Sequence, residues 1–270
     1  MQNKVALITG ASKGIGRQAA LSFAESGYQT AIVATNLQEL QLLKEEIEDT
    51  FGTQCFICNG DLSDFNFVSS IVTSTCDYFG SIDVLINNAA WRSVETMRTM
   101  SLENWEQTLR ICLTAPAFLA QSCARQMEKA RIRGCIINLS SVMSDRAGGN
   151  SPAYVACKGA IESLTRELAV TYGPNGIRVV CVRPGYIDTS MSTDYQSEQG
   201  DNVSSHMIKE LLDFIPAGRG GAVIDIANAL VWLSSEKAGY ISGSSITIDG
   251  GLTSNFNSYS TKKLQFPTQY

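Results

Sequence analysis

Tyr154 and Lys158 stand four positions apart in the segment Tyr154-Val155-Ala156-Cys157-Lys158, and a pair of serines, Ser140 and Ser141, closes an apolar run thirteen residues before the tyrosine. On a helix, a four-residue spacing puts both side chains on one face with Cβ atoms roughly 5–6 Å apart. A free phenol, with a pKa of about 10, exchanges protons poorly near neutrality. An ammonium about 4 Å away, at an effective dielectric near 20, contributes on the order of 4 kcal/mol, or about three pK units, an upper-end value that solvent reduces. Such a pair suits acid/base catalysis, and a Ser141 hydroxyl brought alongside would hydrogen-bond the oxygen that the phenol protonates or deprotonates. Alone, a Tyr/Lys pair is most often an ordinary helical surface. The serine tips the reading toward chemistry.

About 140 residues earlier lies Thr9-Gly10-Ala11-Ser12-Lys13-Gly14-Ile15-Gly16. Glycines there let the backbone turn tightly and approach a phosphate, while free N–H groups and the dipole of a following helix favour the anion. The spacing is GxxxGxG rather than the commoner GxGxxG of dinucleotide sites. A tight strand-to-helix turn without a ligand would satisfy the same pattern. Were the dinucleotide a nicotinamide one, charge would choose between its two forms. An NAD site usually carries an acidic residue at the end of the second strand, which a 2′-phosphate would repel. Here that strand ends Ala34-Thr35-Asn36, and Lys13 offers a positive charge. NADP(H) is therefore expected, with NAD(H) as the alternative.

Both devices need a scaffold that gathers distant residues at one edge. Apolar, β-branched runs at 5–9, 29–34, 54–58, 84–87, 135–139, 178–183 and 245–248 predict seven strands. Helical periodicity over 16–26, 37–51, 65–79, 102–127, 152–172 and 225–234 separates them. Strands apolar throughout, alternating with helices, predict an α/β fold: a single-domain, doubly wound, Rossmann-type parallel sheet with helices on both faces. The expected domain spans residues 1–252, with a polar lid at about 186–221 that contains a short helix near 206–214, and a C-terminal tail at 253–270.

A chain of 270 residues with 44% hydrophobic content supports one such domain. A net charge of -5 without basic clusters argues against nucleic-acid binding. No apolar run reaches the 18 or so residues of a membrane span, and no signal-peptide pattern precedes the first strand, so a cytoplasmic location is expected. The eight cysteines are spread over predicted elements as small hydrophobes. Cys55-Phe56-Ile57-Cys58 has metal-like spacing but no second pair, and no metal site is expected.

With these segments in this order, the chain resembles the short-chain dehydrogenase/reductase family in its non-extended branch, most like 3-oxoacyl-carrier-protein reductase-type members. The resemblance runs from about residue 4 to 252 through Asp61-Leu62, Asn87-Asn88-Ala89-Ala90, Ser141, Tyr154 with Lys158, Pro184-Gly185 and Asp249-Gly250-Gly251. It implies interconversion of a ketone and a secondary alcohol by hydride transfer, with Tyr154 as general acid/base, Ser141 on the substrate oxygen, and Lys158 also on the nicotinamide ribose. By the same resemblance, Gly10, Ser12, Lys13, Gly14, Ile15, Gly16, Thr35 and Asn36 would hold the cofactor phosphates and ribose. Asp61 and Leu62 would contact adenine, Asn88 the adjacent ribose, and Ile187 and Thr189 the carboxamide. Relatives commonly form homotetramers through the helices at 102–127 and 152–172 and through the last helix and strand.

Two positions depart from the family pattern. Cys112 stands where most relatives place an Asn that positions a water beside the lysine, and a thiol is a poor substitute for a carboxamide. Ala90 replaces a usual glycine. The thiol keeps a rival reading open, a cofactor-sensing binding protein on the same scaffold. The expected partner is a small carbonyl or alcohol substrate, faced by Trp91, Met143, Tyr186, Met191, Tyr195, Met207 and Phe214, with Arg92, Arg98 and Arg146 as candidates for an anionic group. For any one of these residues, ordinary packing or a solvated surface is the commoner role. His206 is expected on the lid helix without a catalytic part.

Overall fold

The computed structural model describes residues 4–197 and 199–270; residues 1–3 and 198, which belong to the predicted domain and lid, lie outside it. Seven parallel strands form one sheet: β1 (Val5–Thr9), β2 (Gln29–Ala34), β3 (Cys55–Asn59), β4 (Val84–Asn87), β5 (Cys135–Leu139), β6 (Arg178–Pro184) and β7 (Ser245–Ile248). Their order is β3-β2-β1-β4-β5-β6-β7, so the winding reverses between β1 and β4. Strand positions agree with the sequence expectation to within a residue.

Helices cover both faces, because a strand buried on both sides needs two apolar partners. On one face α1 (Gly14–Glu25), α2 (Leu37–Phe51) and α8 (Val223–Ser234) contribute Phe23, Leu40, Ile47 and Leu230 to a cluster around Ile8, Ile86 and Val180. On the other face lie α3 (Phe65–Phe79), α4 (Leu102–Leu109), α5 (Ala115–Ala130) and α6 (Pro152–Tyr172). There Ile71, Leu119, Met127 and Cys157 pack on Leu7, Leu85 and Val179. Seven of the eight cysteines are buried free thiols, in the role of small apolar groups.

The single helix expected over 102–127 is instead two helices joined by a π-turn at Arg110–Thr114. Pro116 explains the break. Its ring nitrogen cannot bond the Cys112 carbonyl one turn back and would crowd it, so the turn widens, and the Ala115 N–H reaches the Arg110 carbonyl. The lid leaves the sheet and returns to its own base, where Ile187 pairs with Gly221. It carries α7 (Ser204–Leu212), two residues earlier than expected. Residues 253–270 include α9 (Tyr259–Gln265) and pack on the lid: the Asn255 carboxamide donates to the Phe214 carbonyl at 2.8 Å, and the Tyr259 N–H to that of Asp213 at 2.8 Å. Among the described residues, no helix is long and apolar enough to cross a membrane.

Candidate active site

Parallel strands end on a common edge, and a cleft of about 880 Å³ opens there, beside the point where the winding reverses. This is where doubly wound sheets hold ligands. Its floor is the loop from β1 to α1. Gly10 and Gly14 have φ of +67° and +58°, values that disfavour any side chain. A Cβ on Gly16 would lie 2.2 Å from the Gly10 carbonyl oxygen.

Side chains at the strand ends fix this loop. The Thr9 hydroxyl accepts the N–H groups of Asn88 and Ala89, each at 3.0 Å. The Asn88 carboxamide donates back to the carbonyls of Thr9 at 2.9 Å and Gly10 at 3.2 Å. The start of α1 has neither a side-chain cap nor an acidic residue in its first turn, so its amino end is left for an anion. A close-approach cradle at an uncapped helix start fits the diphosphate of a dinucleotide.

The opposite wall comes from β5 and α6. Lys158 is only 3% exposed and Tyr154 9%. The Lys158 ammonium donates to the Leu139 carbonyl at 2.6 Å and lies 5.2 Å from the centre of the Tyr154 ring. Burial disfavours this charge, yet Tyr154 and the thiols of Cys112, Cys181 and Cys157 outweigh it, so the pKa of Lys158 stands above the ordinary lysine value. Ser141 faces the cleft and its hydroxyl oxygen accepts the Met143 N–H at 3.2 Å. The Ser140 hydroxyl is engaged by the protein itself, within hydrogen-bond reach of the Lys158 carbonyl and the Glu162 carboxylate, at 2.9 and 2.8 Å.

Glu162, which sequence reasoning missed, organises this corner. One of its oxygens also takes the Ser144 hydroxyl at 2.6 Å and lies 3.3 Å from Arg183 Nε, and Arg183 pairs with Asp145 as well. The signal was available, since Glu162 follows Lys158 by one helical turn on the face that bears Tyr154. A second polar chain fixes the depth of α6 against the sheet: Asn87 donates to Asn138 at 2.9 Å, and Asn138 to Thr165 at 3.0 Å.

Cys112 sits on the π-turn, buried against the loop after β4. Its thiol donates to the Trp91 carbonyl at 3.3 Å and accepts the Trp91 N–H at 3.4 Å. Burial pushes this thiol above its ordinary pKa, against the pull of Lys158.

Of the expected site residues, the structure brings Gly10, Ser12, Lys13, Gly14, Ile15, Thr35, Asp61, Leu62, Asn88, Ser141, Tyr154, Lys158, Ile187 and Thr189 to the cleft. Gly16 and Asn36 are not on its lining. Gly16 supports the loop from behind, and the Asn36 side chain accepts the Glu39 N–H at 3.2 Å as the cap of α2. Every aromatic residue and methionine expected to face substrate lines the cleft, as do Arg92 and Arg146, whereas Arg98 and His206 do not. Among the described residues, no group of three or more His, Cys, Asp or Glu side chains is placed to hold a metal ion.

Comparison with known proteins gives this geometry its family. The family model described as enoyl-(acyl carrier protein) reductase matches residues 10–253. The chain is 34% identical over 253 residues to a 2-dehydro-3-deoxy-D-gluconate 5-dehydrogenase of Dickeya dadantii, a match covering 93% of this chain and 96% of the relative. It is 34% identical over 250 residues to a 3-oxoacyl-[acyl-carrier-protein] reductase of Staphylococcus aureus, covering 92% and 98%. Among solved structures, L-sorbose reductase from Gluconobacter frateurii, complexed with NADPH and L-sorbose, matches with a TM-score of 0.88 at 28% identity over 94% of this chain and 98% of that one. These relatives are catalysts, which sets the cofactor-sensing alternative aside. The chain belongs to the short-chain dehydrogenase/reductase family and is an NAD(P)-dependent oxidoreductase.

Proposed function

We propose that the protein reversibly reduces a ketone to a secondary alcohol with a preference for NADP(H), using Ser141, Tyr154 and Lys158. The observation that carries this reading is their convergence: a nearly buried ammonium beneath the ring of a cleft-facing tyrosine, and a serine hydroxyl in the same cleft, across from the glycine loop. Bound nicotinamide supplies the hydride in one direction and accepts it in the other. Ser141 holds the substrate oxygen by a hydrogen bond. Tyr154 gives that oxygen its phenolic proton during reduction and takes it back during oxidation, and the Lys158 ammonium is the charge that the phenolate then faces.

Gly10, Ser12, Gly14 and Ile15 would hold the diphosphate. Asp61 and Leu62 would hold adenine, Asn88 the neighbouring ribose, Lys158 with Tyr154 the nicotinamide ribose, and Ile187 with Thr189 the carboxamide. The preference for NADP(H) is supported by Lys13 and Thr35 on the lining and by the absence of a carboxylate at the end of β2. Two related structures carry the phosphorylated cofactor, the L-sorbose reductase with NADPH and a putative gluconate 5-dehydrogenase from Beutenbergia cavernae with NADP.

A homotetramer in the cytoplasm is part of the same reading. Leu102, Phe118 and Val170 on α4, α5 and α6, and Ile224 and Trp232 on α8, are large apolar side chains left exposed on the helices that would meet. Light scattering at the 29.2 kDa mass of one chain would dismiss it.

Tyr154→Phe tests the chemistry. It removes the proton and little else, so turnover should fall at least ~1,000-fold while NADPH still binds. Substantial residual activity would overturn the assignment.

A further inference from the structure

The substrate end of the cleft has a wall whose charged side chains are already engaged by other groups of the protein. Among the described residues the lining carries five charged side chains, and three are accounted for elsewhere: Lys13 and Asp61 at the glycine-loop end, Lys158 beneath Tyr154. The other two are Arg92 and Arg146. The Arg92 side chain is 4% exposed, and its guanidinium pairs with Asp194 at 2.7 Å, donates to the Met191 carbonyl at 2.8 Å and lies over the Tyr195 ring at 5.0 Å. Its charge and ring-facing side are thus committed to the lid, and its other terminal nitrogen donates to the Ser151 hydroxyl at 3.4 Å. Arg146 is exposed at the rim and donates to the carbonyls of Thr253 and Asn255, at 2.7 and 3.4 Å.

Most of what remains to meet a substrate is apolar and soft, with Gln107, Asn150, Ser190 and Ser192 among the polar exceptions. Trp91 and Met143 reach in from the sheet side, and Tyr186, Met191, Met207 and Phe214 from the lid. Met191 and Met207 are more than a third exposed, although apolar side chains on a closed lid would ordinarily be covered. Flexible thioethers lining a groove adapt to apolar ligands of varied outline. A carboxylate or phosphate placed among them would lose its water, while the guanidinium of this end that has no carboxylate partner, Arg146, is held to the carbonyls of Thr253 and Asn255 at the exposed rim.

We infer that the substrate is an uncharged, largely apolar ketone or secondary alcohol, seated between Trp91 and Met143 on one side and the lid methionines on the other. This inference rests on the reductase reading above and names the substrate class of that site. Arg92 is a positioning residue here: with Asp194 it holds the lid segment in place and presents no net charge to the ligand.

Matched ketones test it, each pair sharing a frame that bears either a methyl or a carboxylate: 4-methylacetophenone with 4-acetylbenzoate, and 4-methylcyclohexanone with 4-oxocyclohexanecarboxylate. Titration calorimetry into the NADP⁺-loaded protein reads binding without turnover, because the oxidised cofactor cannot reduce a ketone. The neutral member of each pair should bind at least ~10-fold tighter, about 1.4 kcal/mol. Equal or tighter binding of the carboxylate member, or no binding of either neutral ketone at millimolar concentration, overturns the inference. NADPH oxidation over the same panel reports separately on the reductase reading, which falls if ketones bind in the stated order and none is reduced. Asp194→Asn unmasks Arg92 and should tighten binding of the carboxylate members about tenfold; no tightening would overturn the assignment of that charge to Asp194, and the inference with it.

Discussion

The two walls of the cleft are built from different materials. On the glycine-loop side the parts that matter are backbone, held by positive φ angles, strand-end hydrogen bonds and distances that leave no room for a Cβ. On the lid side they are side chains, carried by a connection whose ends meet at the pairing of Ile187 with Gly221. Backbone that must touch its ligand tolerates almost nothing, whereas a wall of side chains can be exchanged piece by piece. The same replacement should therefore have opposite weight on the two sides. Gly16→Ala drives a methyl to 2.2 Å from a fixed carbonyl oxygen, and NADPH affinity should fall at least ~1,000-fold, about 4 kcal/mol. Gly200→Ala, on the lid, meets open space at φ +89°, and only the backbone strain of roughly 1–2 kcal/mol should register in stability, with cofactor affinity intact. Equal losses of affinity in fluorescence titrations would erase the contrast.

The wall behind Tyr154 belongs to the intolerant side although side chains form it, because burial leaves its charges no alternative partners. Lys158→Met should lower kcat at least ~100-fold. It should also change the alkaline unfolding limb. The folded pKa of Lys158 is raised above the ordinary 10.5, so the stability it contributes is fully present below that value and is lost as pH rises through the higher folded value. Melting temperatures of the wild type should therefore drop more steeply than those of the variant above about pH 10.5. Glu162→Ala takes one acceptor from the hydroxyls of Ser140 and Ser144 and leaves Arg183 with Asp145 as its remaining carboxylate. It should cost about 2–3 kcal/mol in chemical denaturation, roughly halved in Glu162→Gln, which keeps one acceptor.

Lys13 sharpens the comparison from the exposed rim of the backbone-built side. Its charge is in water, so a 2′-phosphate gains only a screened attraction from it. Lys13→Ala should weaken NADPH binding about tenfold, or ~1.4 kcal/mol, and leave NADH within twofold. A higher wild-type kcat/KM for NADH than for NADPH would break the charge argument altogether.

The sheet was legible because parallel strands buried on both faces must be apolar throughout, and glycine loops announce themselves by composition. Tyr154, Lys158 and Ser141 were legible by spacing, two on a helix and one at a strand end. Other features depended on three-dimensional partners. Nothing local told that Arg92 would spend its charge on Asp194, 102 positions away, whereas Asn36, directly ahead of the helix predicted at 37–51 and three residues before Glu39, carries the local signature of a helix cap. Residues 253–270 read as a polar tail because their partners, Phe214, Asp213 and Arg146, lie on the lid and on the loop after β5. The break in the helix at 102–127 was written in Pro116 and went unread because the apolar periodicity continues through it.

Cys112 is the smallest of these tests and the one that joins the two sides, since it ties the π-turn to the loop that carries Trp91. The thiol bridges the N–H and the carbonyl of Trp91, both weak bonds for sulfur. That places it as a brace for the substrate wall. Cys112→Ala removes both bonds and should cost about 1 kcal/mol of stability, with the KM for ketone raised more than kcat is lowered. Cys112→Asn restores a donor and an acceptor of similar size, and if bracing is the whole role, kcat should stay within about threefold of wild type, or ~0.65 kcal/mol. A gain of tenfold or more would show instead that a carboxamide at this position carries protons that the thiol does not. Turnover would then be limited by proton supply to Lys158 and not by how the substrate wall is held.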